Sequence, residues 1–226
     1  MLSIIVPCLN ESQGIADVLS ALAPLRARGV EVIVVDGGSH DGTPERAAAF
    51  ADLVVTAPRG RASQMNAGAA RARGEILLFL HADTLLPDAA DVLVVDGLQR
   101  TRRGWGRFDV AIEGRHPLLK VVALLMNWRS RLTGITTGDH AIFVTRSLFS
   151  AAGGYPEIAL MEDIALSKRL KGFGPPLCLK HRLTASARRW EKHGVLRTIL
   201  LMWRLRLAYW LGADPAKLAV RYDRSG

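Results

Sequence analysis

The chain has 226 residues, enough for one domain with a substantial core, and its 49 % hydrophobic content excludes wholesale disorder. Its two cysteines, Cys8 and Cys178, exclude a disulfide framework and fit a reducing, cytoplasmic setting. The net charge of +9 is uneven: residues 168–226 hold 14 of the 30 Lys and Arg but 3 of the 21 Asp and Glu, or +11, against −2 for the rest. Such a basic segment suits an anionic partner (nucleic acid, anionic lipid or a diphosphate), the plainer alternative being a solvated basic face.

The start, Met1-Leu2-Ser3-Ile4, has no basic region or cleavage site and reads as the lead-in to a core strand, not a signal peptide. Leu2–Val6 is a short apolar run ended by Pro7. Ser12 is a candidate cap for a helix with Ile15, Val18, Leu19 and Leu22 at helical spacing. Strands are predicted at Val30–Val35, Leu53–Thr56 and Ile76–Leu80, and helices from Thr43-Pro44 and over Ala62–Arg73, which Gly74 stops. The second half reads as a strand at Trp105–Ile112 and a helix at His116–Leu132 with an apolar core at Val121–Met126. A strand follows at Ala141–Thr145, then a helix near Met161–Leu170, a late strand at Pro176–Lys180 and a long helix at Gly194–Leu211. Alternating strands and helices imply an α/β fold, a mostly parallel central sheet flanked by helices, with ligands outside the carboxyl ends of the strands.

Chemistry-bearing residues fall at those ends. Asp36-Gly37-Gly38-Ser39-His40-Asp41-Gly42-Thr43 follows a strand, so Asp36 could accept hydrogen bonds from a nucleobase or ribose, or could simply organise a turn. Asp83, in His81-Ala82-Asp83-Thr84, could hold Mg²⁺ or Mn²⁺ together with phosphate oxygens, or cap a following helix. Glu162-Asp163 could supply a general base or complement a helix dipole. Arg59-Gly60-Arg61, with Gln64 and Asn66, stands at a helix start suited to phosphate. Arg188-Arg189-Trp190 could clamp a diphosphate, with Trp190 on a sugar or lipid or in the core, and Gly138-Asp139-His140 could line an acceptor pocket or form a turn. No Walker-type phosphate loop, GxGxxG, GxSxG elbow or close-spaced zinc pattern occurs.

Taken in order, Ser3–Glu11, Glu31–Thr43, Gly60–Gly68, Gly74–Asp83 and Glu162-Asp163 resemble the family-2 glycosyltransferases of the GT-A fold, over about residues 1–170 and nearest a short bacterial subgroup. The resemblance implies an inverting, metal-dependent enzyme that moves a sugar from a nucleoside-diphosphate sugar, UDP-linked, to an acceptor hydroxyl or phosphate. It implies that Pro7, Asn10 and Glu11 border the nucleotide, Asp36 contacts the base, and Arg61, His81 and Ala82 lie beside the donor. Asp83 then binds Mg²⁺ or Mn²⁺ as the last Asp of a D-x-D element, and Asp163, with Glu162, is the catalytic base. His81 departs from the pattern by replacing the first Asp of D-x-D.

Residues 1–100 are then the donor half, 101–190 the acceptor half, with Gly138, Asp139, His140, Arg188, Arg189 and Trp190 on the acceptor and diphosphate side, and 191–226 a basic, apolar helical segment. Its helix is too short and arginine-bearing to span a bilayer; it could lie at the inner membrane face or pack in a homodimer. Arg197 and Arg204 align on it while Arg206 points away. Nucleic acid is disfavoured because no reading motif is recognised. A nucleotidyltransferase on a related fold, and an inactive membrane-associated nucleotide-binding protein, are the alternatives.

Overall fold

The computed structural model describes residues 1–224, apart from the side chains of Arg189, Asp223 and Arg224. β1 (Leu2–Cys8), β2 (Glu31–Asp36), β3 (Leu53–Thr56) and β4 (Ile76–Phe79) alternate with α1 (Ile15–Ser20), α2 (Ala23–Arg26), α3 (Thr43–Ala48) and α4 (Arg61–Arg71). Then come β5 (Thr84–Leu85), α5 (Ala90–Thr101), β6 (Trp105–Glu113), α6 (Leu118–Thr133) and a 3₁₀ turn at Gly138–His140. β7 (Phe143–Thr145), α7 (Arg146–Ala151), α8 (Glu162–Lys171), β8 (Leu177–Ser186), α9 (Arg188–His193), α10 (Val195–Trp210) and α11 (Pro215–Arg224) complete the chain.

The strands form one sheet in the order β3-β2-β1-β4-β7-β6-β8-β5. β1 pairs in parallel with β2 and β4, and β2 with β3, while β7 is antiparallel to both neighbours. Every residue of β1 and β2 is buried, as expected of parallel strands covered on both faces. The period-2 alternation sends Ile4, Val6, Val32 and Val34 towards α1, and Ile5, Ile33 and Val35 towards α4. Gly68 lets α4 approach closely, since a Cβ there would lie 2.4 Å from Ile5 Cγ2. The carboxyl ends of β1, β2 and β4 therefore open on one edge.

Several expectations need correction. Ser12 does not cap α1; the N-cap is Gly14, and the Glu11 carbonyl accepts from Ile15 N–H. Asp83 and Thr84 cap no helix, because Thr84 enters β5 and pairs with β8. Only Val122 and Ala123 of the Val121–Met126 run are buried, whereas Val121, Leu124 and Leu125 are exposed. The late strand runs on to Ser186, and α5, α7, α9 and α11 were not anticipated.

Candidate active site

The first wall of the cleft is a pair of loops pinned to each other. Asn10 N–H donates to Ser39 Oγ at 2.8 Å, His40 N–H to Asn10 Oδ1 at 3.0 Å, Glu11 N–H to Thr43 Oγ1 at 2.9 Å and Ser12 N–H to Asp41 Oδ2 at 3.0 Å. The Thr43 hydroxyl, with the Ser12 and Thr43 N–H groups, holds the Asp41 carboxyl well below its usual range. Ser39, Asp41 and Thr43 are thus clamps, a role that their place in a glycine-rich run does not reveal.

Asp36 is 2 % exposed, and its carboxylate accepts from Gly38 N–H, Ser39 N–H and the Ser39 hydroxyl. It organises the turn that follows β2. Gln64 is likewise structural: its Nε2 donates to the carbonyls of Cys8 and Val35 at 2.8 Å. Asn66 binds the backbone of Tyr155. Burial and the neighbouring Asp36 push the Cys8 thiol up to about 12, so no thiolate nucleophile is available there.

The second wall follows β4. Pro7 and Ala82 are buried, while Asp83 keeps solvent access. The Asp83 carboxylate has one weak partner, the Thr84 hydroxyl at 3.4 Å, and lies close enough to Arg188 to act on its charge. Arg188 reaches both oxygens of Glu11 at 3.0 Å, which ties the start of α9 to the first wall. Trp190 is half-buried against the central core, and the Arg189 side chain lies outside the described residues.

The third wall brings in Asp163. Its Oδ2 accepts from Gly138 N–H at 2.7 Å and its Oδ1 from Ile164 N–H at 2.7 Å. The His81 ring packs on Gly138, with Nδ1 3.5 Å from Asp139 Oδ1. His81 therefore bridges the end of β4 to the turn that orients Asp163, a use for the residue that departs from D-x-D. His140, in contrast, is fully buried behind the cleft, and burial with nearby Arg107 pushes its imidazole down to about 3. Glu162 is also buried; desolvation, reinforced by Asp163, pushes its carboxyl up to about 7 against the pull of Arg61 and His81.

Arg61 opens α4 and faces this group. Its crowded surround disfavours the charge, but the fields of Tyr222, Glu162, Asp139 and Asp163 outweigh that and raise its pKa. Met161, Ile164, Leu205 and Leu218 form a small core, so the α10–α11 hairpin packs directly against the Glu162-Asp163 segment. Asn10, Ala141 and Met161 adopt positive φ (53°, 47° and 71°), a conformation that non-glycine residues hold only where their surroundings impose it.

No group of three or more His, Cys, Asp or Glu that could hold a metal occurs among the described residues. The solvent-accessible Asp83 fits an ion held by one carboxylate plus substrate phosphates, the usual arrangement for Mg²⁺, rather than an all-protein cage.

The model for "Glycosyl transferase family 2" matches residues 3–139. The chain is 31 % identical over 192 residues to a poly-beta-1,6-N-acetyl-D-glucosamine synthase of Staphylococcus epidermidis, covering 76 % of this chain and 46 % of that one. It thus spans about half the length of that relative. A Pyrobaculum calidifontis mannosyltransferase in complex with GDP-Man and Mn²⁺ superposes with a TM-score of 0.65 at 25 % identity, covering 92 % of this chain and 60 % of the other. S. aureus TarS 1–349 in complex with UDP-GlcNAc gives 0.66 at 19 % identity, over 82 % and 58 %, a likeness of fold. The ordered motifs, the sheet and the family match agree: this chain is a member of glycosyl transferase family 2, with the GT-A fold.

Proposed function

We propose that the chain transfers a sugar from a nucleoside-diphosphate sugar, UDP-linked, to an acceptor oxygen with inversion at the anomeric carbon. The observation that carries this reading is the approach of Asp83, the Arg188–Glu11 pair, Arg61 and Asp163 to one cleft edge. The nucleobase lies on the turn that Asp36 organises, between the Pro7–Glu11 and Asp36–Thr43 loops. Asp83 is the residue that would hold Mg²⁺ or Mn²⁺, which would supply positive charge to offset that of the leaving diphosphate. Arg61 and Arg188, released from Glu11, add cationic donors on the same side.

Asp163 accepts the proton of the attacking hydroxyl. Its oxygen bond to Gly138 N–H fixes the carboxylate, and Asp139 with His81 holds that turn. The bond from the anomeric carbon to the diphosphate oxygen breaks as the bond to the acceptor oxygen forms. One displacement needs no covalent sugar–enzyme link, which agrees with the inert Cys8.

We place this reaction at a membrane surface. No described helix is long and apolar enough to cross a bilayer. However, α10 presents Leu196, Leu200, Trp203, Leu207 and Trp210 to solvent, with Trp210 73 % exposed, and the exposed Arg197 and Arg204 stand beside them. α6 adds Val121, Leu124, Leu125, Trp128 and Leu132. Apolar and aromatic stripes flanked by arginine suit an anionic interface.

The direct test is a panel of UDP- and GDP-sugars incubated with the chain and Mn²⁺ while release of the nucleoside diphosphate is followed. Turnover of at least one donor is expected; pyrophosphate release from a nucleoside triphosphate instead would favour nucleotidyl transfer.

A further inference from the structure

Five buried side-chain nitrogen and oxygen atoms have no hydrogen-bond partner among the described residues: Arg107 Nε, Arg129 Nε and Nη2, Ser130 Oγ and His140 Nε2. They belong to one region. Arg107 on β6 donates to the Asn127 carbonyl of α6, and Arg129 and Ser130 follow one turn on. Arg107 and Arg129 both act on the charge of His140. Leaving this many buried donors unmatched is costly, about 1–3 kcal/mol for each neutral group and more for a charged one.

Other arginines nearby are matched. Arg107 pairs with Asp109, Arg131 also pairs with Asp109, and Arg188 pairs with Glu11. Arg129 and Arg206 make no salt bridge among the described residues. Arg206, on α10, lies close enough to Arg129 for the two like charges to interact, and with burial it pushes the Arg129 guanidinium down to about 10. Asp163 and Asp139 lie close enough to Arg129 to favour its charged form. Two unmatched guanidinium groups thus stand on the flank of Asp163 that α6 and α10 border.

We propose that Arg129 and Arg206 form an anion subsite beside Asp163 that binds a phosphate group carried by the acceptor. This rests on the reading of the cleft as a glycosyl-transfer site with Asp163 on the acceptor side. Guanidinium forks match the several oxygens of a phosphate, whose two charges suit two cations better than a single carboxylate does. The same two helices bear the exposed apolar stripes, so a phosphate on a lipid reaches the subsite from that face; a phosphate on a soluble compound presents the same chemistry.

The experiment is isothermal titration of the chain saturated with UDP and Mg²⁺, which blocks the donor side, using glycerol phosphate and dodecyl phosphate below its micellar concentration. Both should bind, and Arg129→Gln and Arg206→Gln should each weaken binding at least tenfold with UDP affinity unchanged, while Arg129→Lys retains part of it. Tighter binding of dodecyl phosphate identifies a lipid acceptor; equal binding identifies a soluble one. If Arg129→Gln fails to fold, Arg206→Gln, on a helix surface, gives the answer alone. Absence of phosphate binding in a chain that binds UDP normally, or binding indifferent to both variants, overturns the subsite. Absence of UDP binding would instead strike at the donor site itself.

Discussion

The backbone N–H of Gly138 donates to Oδ2 of Asp163 at 2.7 Å, across 25 residues of sequence. This contact fixes the carboxylate read as the base to the turn that His81 covers. It sets the reach of that carboxylate independently of the acceptor, because the turn is held by β4 on one side and α8 on the other.

Asp163→Asn keeps the size of the side chain, removes the proton acceptor and can retain only one of the two backbone hydrogen bonds, since an amide nitrogen cannot accept. Sugar transfer should fall by about 10²–10⁴-fold. UDP affinity, read by titration calorimetry, should stay within a factor of about two, since the role proposed for Asp163 is towards the acceptor and not the nucleotide. Full transfer by this variant would remove Asp163 from the role.

Gly138→Ala tests the His81 bridge. A Cβ at Gly138 would lie 2.4 Å from His81 Nε2, so the ring or the turn must move. A loss of about 1–3 kcal/mol in thermal or urea unfolding is expected, with reduced transfer. Adding His81→Ala should recover part of the stability lost at Gly138. Strict additivity of the two changes would show that the residues do not touch.

Glu162 predicts a pH-dependent effect. Its folded-state value of about 7 lies above the ordinary 4.5, because burial and Asp163 outweigh Arg61 and His81. Folding therefore favours its protonated form: the penalty is absent below 4.5, grows between 4.5 and 7, and is complete above 7. Glu162→Gln should stabilise the chain at pH 8 by on the order of 2–3 kcal/mol and have little effect at pH 4, read from urea midpoints. Equal effects at both pH values would contradict the assignment.

The exposed stripes of α6 and α10 predict vesicle binding. The chain should sediment with phosphatidylglycerol-containing vesicles and not with pure phosphatidylcholine. Trp203→Ala with Trp210→Ala should weaken that by about tenfold or more, given the apolar area removed. A concentration-dependent dimer lost in the same variants, without vesicle binding, would assign the stripes to self-association.

The strands that build the donor side were legible because continuous apolar runs leave little other reading, although β1 runs on through Pro7 to Cys8 where the sequence suggested a stop. The helix α5 was harder. Gly97 interrupts its pattern, for a tertiary reason: a Cβ there would lie 2.7 Å from Leu177 Cδ2. α11 carried an unused signal, Asp214 before Pro215, and Asp214 Oδ1 does accept from Ala216 N–H.

At the site, strand-end position and the family resemblance pointed to Asp83 and Asp163, but the partners of each residue were not legible. Asp36, Gln64 and Asn66 make internal hydrogen bonds, and His140 is buried. Conversely, nothing in the local sequence marks Arg129 or Arg206 as neighbours; the fold brings their charges within reach of each other. His81 looked like damage to a metal motif, whereas its ring supports the Gly138 turn.

The metal-assisted diphosphate site proposed for this cleft depends on Asp83. Titration of UDP into the chain with and without Mn²⁺ tests it most directly. Tight binding with Mn²⁺, at least tenfold weaker binding without it, and loss of that difference in Asp83→Ala are predicted. UDP affinity indifferent to Mn²⁺ in the unaltered chain, or a metal effect that survives Asp83→Ala, would contradict it.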